Sequence, residues 1–287
     1  MQATSLLLTR NPIGCQMVDN GFNAQFQVRI LHHMARSGGT AISKRLASMS
    51  GIVLLSEIHP LGTKIFNPLA QAHEWHRLLT PSDLRQLRDN SAIVFQDSIA
   101  LIAQRCREQQ KTLIIRDWSH LDFTAIPFLS VPTYELTLAN MLAERLEVIH
   151  TATVRHPIDQ WLSLYVHLQQ DQNMQGKNLT LDRFLLGYLK FAEESVRIGF
   201  MRYEDFVRSP DAKLKILCAR LAISFDARYK DRWYTYSKIS GNTIGNRGGE
   251  EIAPLPRRKV EPNLLNEFAR NADYQNAIKL LGYEHPQ

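Results

Sequence analysis

His33-Met34-Ala35-Arg36-Ser37-Gly38-Gly39-Thr40 holds the residue types that gather an anion, and Ala41 follows directly. Paired glycines let backbone amides converge on one point, a helix beginning behind them adds its positive end, and Arg36 supplies a fixed charge. A group carrying phosphate or sulfate is expected there. Aligned on Thr40, the stretch competes with the nucleoside triphosphatase loop G-x-x-x-x-G-K-[ST], but His33 stands for the first glycine and Gly39 for the lysine. Loss of that lysine removes the group that reaches the β and γ phosphates, which argues against transfer from ATP or GTP. Farther on, Arg155 and Ser163 are eight residues apart (163 − 155 = 8), with Pro157 between them. An Arg at a strand exit and a Ser about two turns along the next helix can both face one anion. Glu57, His120 and His59 are the groups that could take a proton near such a site.

The elements around these residues read as an alternation of strands and helices. Phe26 to Leu31 is a strand and Ala41 to Met49 a helix with Ile42, Leu46 and Met49 on one face, so residues 33–40 form a strand-to-helix loop. Ile52 to Leu55 is a second strand, and Glu57 stands at its end. Thr80-Pro81-Ser82-Asp83 carries the signals of a helix start, and Ile93 to Cys106 continues helically. Thr112 to Ile115 is a third strand, Leu136 to Arg145 a helix, Val148 to Val154 a fourth strand, and Pro157 opens the next helix. This order implies an α/β fold of three αβα layers around a mostly parallel sheet. Right-handed crossovers then bring the loops at the strands' carboxyl ends to one crevice, where ligands bind in such folds.

Arg36-Ser37-Gly38-Gly39-Thr40 resembles the 5′-phosphosulfate loop of the sulfotransferases that use 3′-phosphoadenosine 5′-phosphosulfate (PAPS). Val154 to Tyr165 is similar to the same family's 3′-phosphate motif: Arg, any residue, Pro, then a Ser eight residues after the Arg and a Tyr two beyond. His156 stands where that motif commonly has Asp or Asn. Phe200 to Phe206 resembles the family's Tyr-Glu-Asp segment, which implies that Tyr203 lies near the adenine, although Glu204 and Asp205 also suit a helix start. The turn-rich stretch Ser240 to Gly249 loosely resembles a cofactor-closing loop, with Arg247 and Gly248 as its contacts and Arg257, Arg258 and Lys259 as rivals for the 3′-phosphate. A P-loop-like sulfotransferase fold follows, with PAPS as donor, PAP as product and no required metal. The resemblance further implies in-line transfer to an acceptor hydroxyl or amine. Glu57, seventeen residues past Thr40 (57 − 40 = 17), resembles the catalytic Glu of glycan and tyrosyl-protein sulfotransferases. His120 occupies a segment like the His-bearing one of cytosolic small-molecule sulfotransferases. A nucleotide or small-molecule kinase and a non-catalytic nucleotide binder are the alternative classes.

The chain has 287 residues, a net charge of +6 and a hydrophobic fraction of 44%. No linker or repeat divides it, so a single domain over residues 1–287 is expected, with 1–24 an extension and 60–110 and 120–135 elaborations around the acceptor. Trp75 and His76 are expected at that pocket. The positive charge favours anionic ligands, yet the Lys and Arg residues are dispersed without interleaved aromatics, so no nucleic-acid partner is expected. Cys15, Cys106 and Cys218 are widely spaced and suit neither a disulfide framework nor a zinc site. With no basic leader and no stretch of about 18 apolar residues, a cytoplasmic protein without a membrane span is expected, and the Asn178-Leu179-Thr180 sequon is then incidental. The expected acceptor is a small molecule, a glycan or a carrier-bound group. The sequence does not specify the oligomeric state.

Overall fold

The computed structural model describes residues 26–89, 94–170, 179–241 and 252–286. Its sheet has five strands: β1 (Gln27–His33), β2 (Ile52–Ile58), β3 (Thr112–Asp117), β4 (Glu147–Val154) and β5 (Phe200–Arg202). They lie in the order β2-β3-β1-β4-β5, and every neighbouring pair is parallel. The first part of the chain adds helices α1 (Gly39–Ala47), α2 (Pro68–Ala70), α3 (Pro81–Asp89), α4 (Phe95–Glu108), α5 (His120–Thr124) and α6 (Thr137–Ala143). The rest adds α7 (Pro157–Gln170), α8 (Leu181–Ile198), α9 (Tyr203–Arg208), α10 (Pro210–Arg220), α11 (Pro262–Arg270) and α12 (Ala272–Leu281). The expected strands and major helices are all present. β2 and β3 each run beyond their apolar residues into the polar ones, Ser56-Glu57 and Arg116-Asp117, that end at the crevice.

Strand alternation builds the three layers. Val28 and Ile30, Val53 and Leu55, and Leu113 and Ile115 face a large core with residues of α4, α6, α7, α8 and α12. Their neighbours Leu31, Leu54 and Ile114 face a smaller core with α1, α9 and α10. Successive strand side chains point to opposite faces, so a sheet covered on both sides is apolar at nearly every position. Edge strand β2 is closed by side chains: the Gln71 amide accepts from Ser56 N (2.7 Å) and donates to Ser56 O (2.8 Å), imitating a sixth strand.

The topology fixes where the crevice opens. From β1 the chain leaves through α1 toward β2, and from β4 it leaves through α7 and α8 toward β5 on the other side. Adjacent strands whose connections diverge leave a gap at their carboxyl ends. The Arg36 to Thr40 loop follows β1, and the Arg155 to Ser163 segment follows β4.

Candidate functional site

The loop after β1 is tied down by the segment after β4. Gln160 Nε2 donates to Ala35 O (2.8 Å) and Arg155 Nη1 to Arg36 O (3.0 Å), so two loop carbonyls are tied away. Helix α1 begins at Gly39, and its first intrahelical bonds come from Ala41 N and Ile42 N to Gly38 O. Ala41's amide is thus taken by the helix, whereas Gly39 and Thr40 lie in the first turn, where no carbonyl of the helix is available. Ser37 Oγ is buried with no hydrogen-bond partner among the described residues. A buried hydroxyl left unpaired is costly, and an anion in the loop would satisfy it.

Two glycines are required by what they touch. Gly38 has φ of 88°, and a Cβ there would lie 2.2 Å from Tyr203 Cδ2; a Cβ on Gly39 would lie 2.2 Å from His33 Cδ2. Tyr203, the first residue of α9, therefore packs flat on the loop, with the Arg155 guanidinium 5.3 Å from its ring centre. Arg36 itself has φ of 66° and is exposed, and its Nε donates to Ser163 Oγ at 3.1 Å. Arg36, Ser37, Gly38, Arg155, Ser163 and Tyr203 are thus one constellation assembled across 167 residues (203 − 36 = 167).

Its frame explains the departure at His156. His156 Nδ1 accepts from Ile158 N (3.3 Å), which is the capping bond an Asp or Asn would make at the start of α7. The other ring nitrogen donates to Glu284 O (3.0 Å), and burial pushes the imidazole pKa down to about 4, so the ring is neutral. Glu204 accepts from His156 N (2.8 Å) and Tyr283 OH (2.7 Å) and so ties the Tyr-Glu-Asp segment to the β4 exit. Tyr188 OH, from α8, holds Arg155 O at 2.6 Å.

At the exits of β2 and β3 a second group converges around Arg116, a residue to which the sequence reading assigned no role. It is only 4% exposed and spends its guanidinium on four partners: His33 Nε2 (2.8 Å), Ser56 Oγ (3.1 Å), Ser240 O (3.0 Å) and Glu57 Oε1 (3.2 Å). Burial lowers its pKa and the Glu57 charge opposes that shift. The cation facing Glu57 is therefore Arg116. Glu57 sits in the register shift between Ser56 and Ile58 with φ of 57°, a bulge that turns its side chain to the crevice. Its Oε2 has no partner among the described residues. Gly241 closes over this group: a Cβ there would be 3.3 Å from Glu57 Oε1 and 3.5 Å from Thr40 Oγ1. The hub thereby touches the loop after β1.

His120 opens α5 beside this hub. Burial, together with Arg116 and His59, pushes its pKa down to about 4 against the opposing Glu57 and Asp117 charges. His59 is committed elsewhere: its Nε2 donates to Asp122 (3.1 Å) and its Nδ1 accepts from Leu61 N (3.2 Å). Burial depresses the His59 pKa, but the Asp122 bond prevails and the net shift is upward. His76 donates to Leu54 O (2.9 Å) in the middle of β2, so it braces the sheet edge instead of reaching the strand's exit. Arg257 is paired with Asp159 in the first turn of α7 (3.0 Å), while Arg247 and Gly248 lie outside the described residues. Cys106 and Cys218 are free and buried, and Cys15 lies outside the described residues. Among the described residues no cluster of metal-ligating side chains occurs, and no helix is long and apolar enough to cross a membrane.

A parallel central sheet flanked by helices is shared with solved structures. The sulfotransferase domain from the Synechococcus PCC 7002 olefin synthase aligns with a TM-score of 0.59 and 16% identity, covering 91% of this chain and 96% of that one. This is the sulfotransferase fold. The sulfotransferase domain from the curacin biosynthetic pathway aligns with a TM-score of 0.55 and 18% identity over 90% of this chain and 98% of that one. No family model and no curated protein sequence matches the chain. Within the sulfotransferase fold, the loop after β1 and the Arg–Ser pair after β4 adjoin at the switch point. From the sequence Arg116 had no role, and His33, Gln160 and Ser240 were named only as members of their segments, without these contacts; the one local signal was Arg116-Asp117, a charged pair ending the apolar strand Thr112 to Ile115.

Proposed function

We propose that the protein transfers a sulfuryl group from PAPS to an acceptor hydroxyl or amine and releases PAP. The observation that carries this reading is the meeting of the two anion motifs, Arg36 Nε on Ser163 Oγ at 3.1 Å, with Tyr203 packed on Gly38 beside them. One ligand with two separate anionic ends suits that arrangement. The loop has room for backbone contact, an unpaired buried Ser37 Oγ and no lysine of the ATP-binding type.

When bound, PAPS supplies an activated sulfuryl group on a phosphate leaving group. Arg36, Ser37 and the amides of the α1 start bind the 5′ end and offset its charge. Arg155 and Ser163 bind the 3′ end, and Tyr203, packed on Gly38 beside Arg155, lies near the adenine. Glu57 is the general base: Arg116 holds Oε1, and Oε2 is left to take the acceptor proton. His120 orients the acceptor, since an imidazole titrating near 4 has little tendency to hold a proton at neutral pH. The loops within 60–110 and 120–135 shape the acceptor side of what we read as a single domain over residues 1–287, working in the cytoplasm without a metal.

Transfer of labelled sulfate from PAPS, run beside transfer of labelled phosphate from ATP over one acceptor panel, tests the reading. Sulfate transfer with no phosphate transfer supports it. Phosphate transfer from ATP without use of PAPS would replace it with a kinase.

A further inference from the structure

The loops beside Glu57 carry a second kind of surface. Trp118, the residue after β3, donates its backbone N–H to Ile58 O (3.2 Å) and is thereby fixed next to the base strand. Its indole is the centre of an aromatic cluster: Phe66 meets it edge-on at 4.9 Å between ring centres, His120 at 5.4 Å and Phe128 at 5.7 Å. Gly62 approaches so closely that a Cβ there would lie 2.8 Å from the indole. Three separate segments, at 60–66, 118–120 and 126–128, thus close on one ring. His120 belongs to this cluster and feels the Glu57 charge, so the cluster borders the Arg116–Glu57 hub.

Outward from Trp118 the same loops expose large apolar side chains, with Lys64 and Ser130 between them. Leu61 is 54% exposed, Ile65 55%, Phe128 40% and Val131 70%. They are four of the twelve exposed large hydrophobic side chains described, gathered on two short loops. Of the polar groups nearby, Asp122 accepts from His59, Thr133 and Thr137, and Ser119 donates to Asp117. A sugar laid on this surface would lose water from several hydroxyls and find few partners, whereas alkyl or aryl carbon would be buried favourably.

Resting on the reading of Glu57 as the base, we infer that the acceptor is an apolar alcohol or phenol, its hydrocarbon part lying on the Trp118 cluster and the Leu61, Ile65 and Phe128 rim while its hydroxyl reaches Glu57. The occupant is a hydrocarbon-bearing hydroxyl compound because Leu61, Ile65 and Phe128 expose apolar carbon beside the Trp118 cluster, while Arg116, the described cation on Glu57, is committed to four partners.

Titration of the PAP-loaded protein with 2-naphthol and with the primary alcohols from 1-butanol to 1-decanol tests this, with N-acetylglucosamine as the polar comparison and PAP affinity measured in parallel. Each added methylene is expected to tighten alcohol binding about two- to fourfold until the surface is filled. Phe128→Asp and Leu61→Asp, at exposed positions, should each weaken 2-naphthol at least tenfold with PAP affinity unchanged. Normal PAP binding with flat chain-length dependence, or with tighter binding of the sugar, overturns the apolar acceptor and leaves sulfuryl transfer standing. Graded alcohol binding in a protein that fails to bind PAP upholds the apolar site and removes the transfer reading. Self-association that blocks 2-naphthol and is relieved by Leu61→Asp assigns the surface to a second copy and also overturns the inference.

Discussion

The exits of β1 and β4 and those of β2 and β3 both hold arginines, and they hold them differently. On the first side Arg36 is exposed and donates to the Ser163 hydroxyl, and Arg155 is half-buried and donates to the Arg36 carbonyl. Across the sheet Arg116 is buried and shares its guanidinium among a carboxylate, an imidazole, a hydroxyl and a carbonyl. A guanidinium exposed at a crevice can still meet an incoming anion. One that is buried and paired sets the geometry of its neighbours, because moving it would strand a charge in a low-dielectric interior. The first side is suited to holding a ligand, and the second to orienting one reacting group.

The largest expected effect tests the second side. Glu57→Gln should lower kcat about 10²- to 10⁴-fold while leaving PAP affinity nearly unchanged, as steady-state assays beside calorimetry would read. Activity that survives Glu57→Gln and disappears with His120→Ala would move the base to His120. Arg36→Ala comes next, with kcat/KM reduced about 10²- to 10³-fold through loss of charge stabilisation at the 5′ end. Arg155→Ala should weaken PAP about 10- to 100-fold with a smaller change in kcat, the size of a lost charged hydrogen bond. Equal, near-normal kinetics in the two arginine variants would erase the distinction between the sides.

The smallest effect is on stability, and each side carries one of its sources. His156 and His120 are both held neutral by burial, with pKa values pushed down to about 4 from the ordinary 6.5. A folded-state value below the unfolded one means that the unfolded chain binds more protons, so this stability is complete above about pH 6.5 and is lost as pH falls toward 4. By pH 5.5 each imidazole should cost about 1 kcal/mol. Thermal melts from pH 7.5 to 5 would show a falling Tm, and His156→Asn should remove part of the slope.

What the sequence disclosed followed the distance over which each part is built. The Arg36 to Thr40 loop and the Arg155 and Ser163 pair are contiguous strings or a single helix spacing, so they could be singled out, as could the strand–helix order that sets them side by side. Arg116 was not, because its partners His33, Ser56 and Ser240 come from three distant segments. His76 was expected at the acceptor and instead caps the free edge of β2, a need that arises only once that strand is known to be outermost. His156, which breaks the usual pattern, performs the cap through a ring nitrogen. Glu57 was legible as a residue at a strand end, but not the bulge and positive φ that turn it to the crevice.

Calorimetric titration of the purified protein with PAP, with ATP and ADP as controls, tests the central claim most directly. Micromolar PAP binding with much weaker ATP binding is the predicted result, since only a ligand with both 5′ and 3′ anionic ends engages Arg36 and Arg155 together. Preference for ATP, or no binding of PAP, would contradict it.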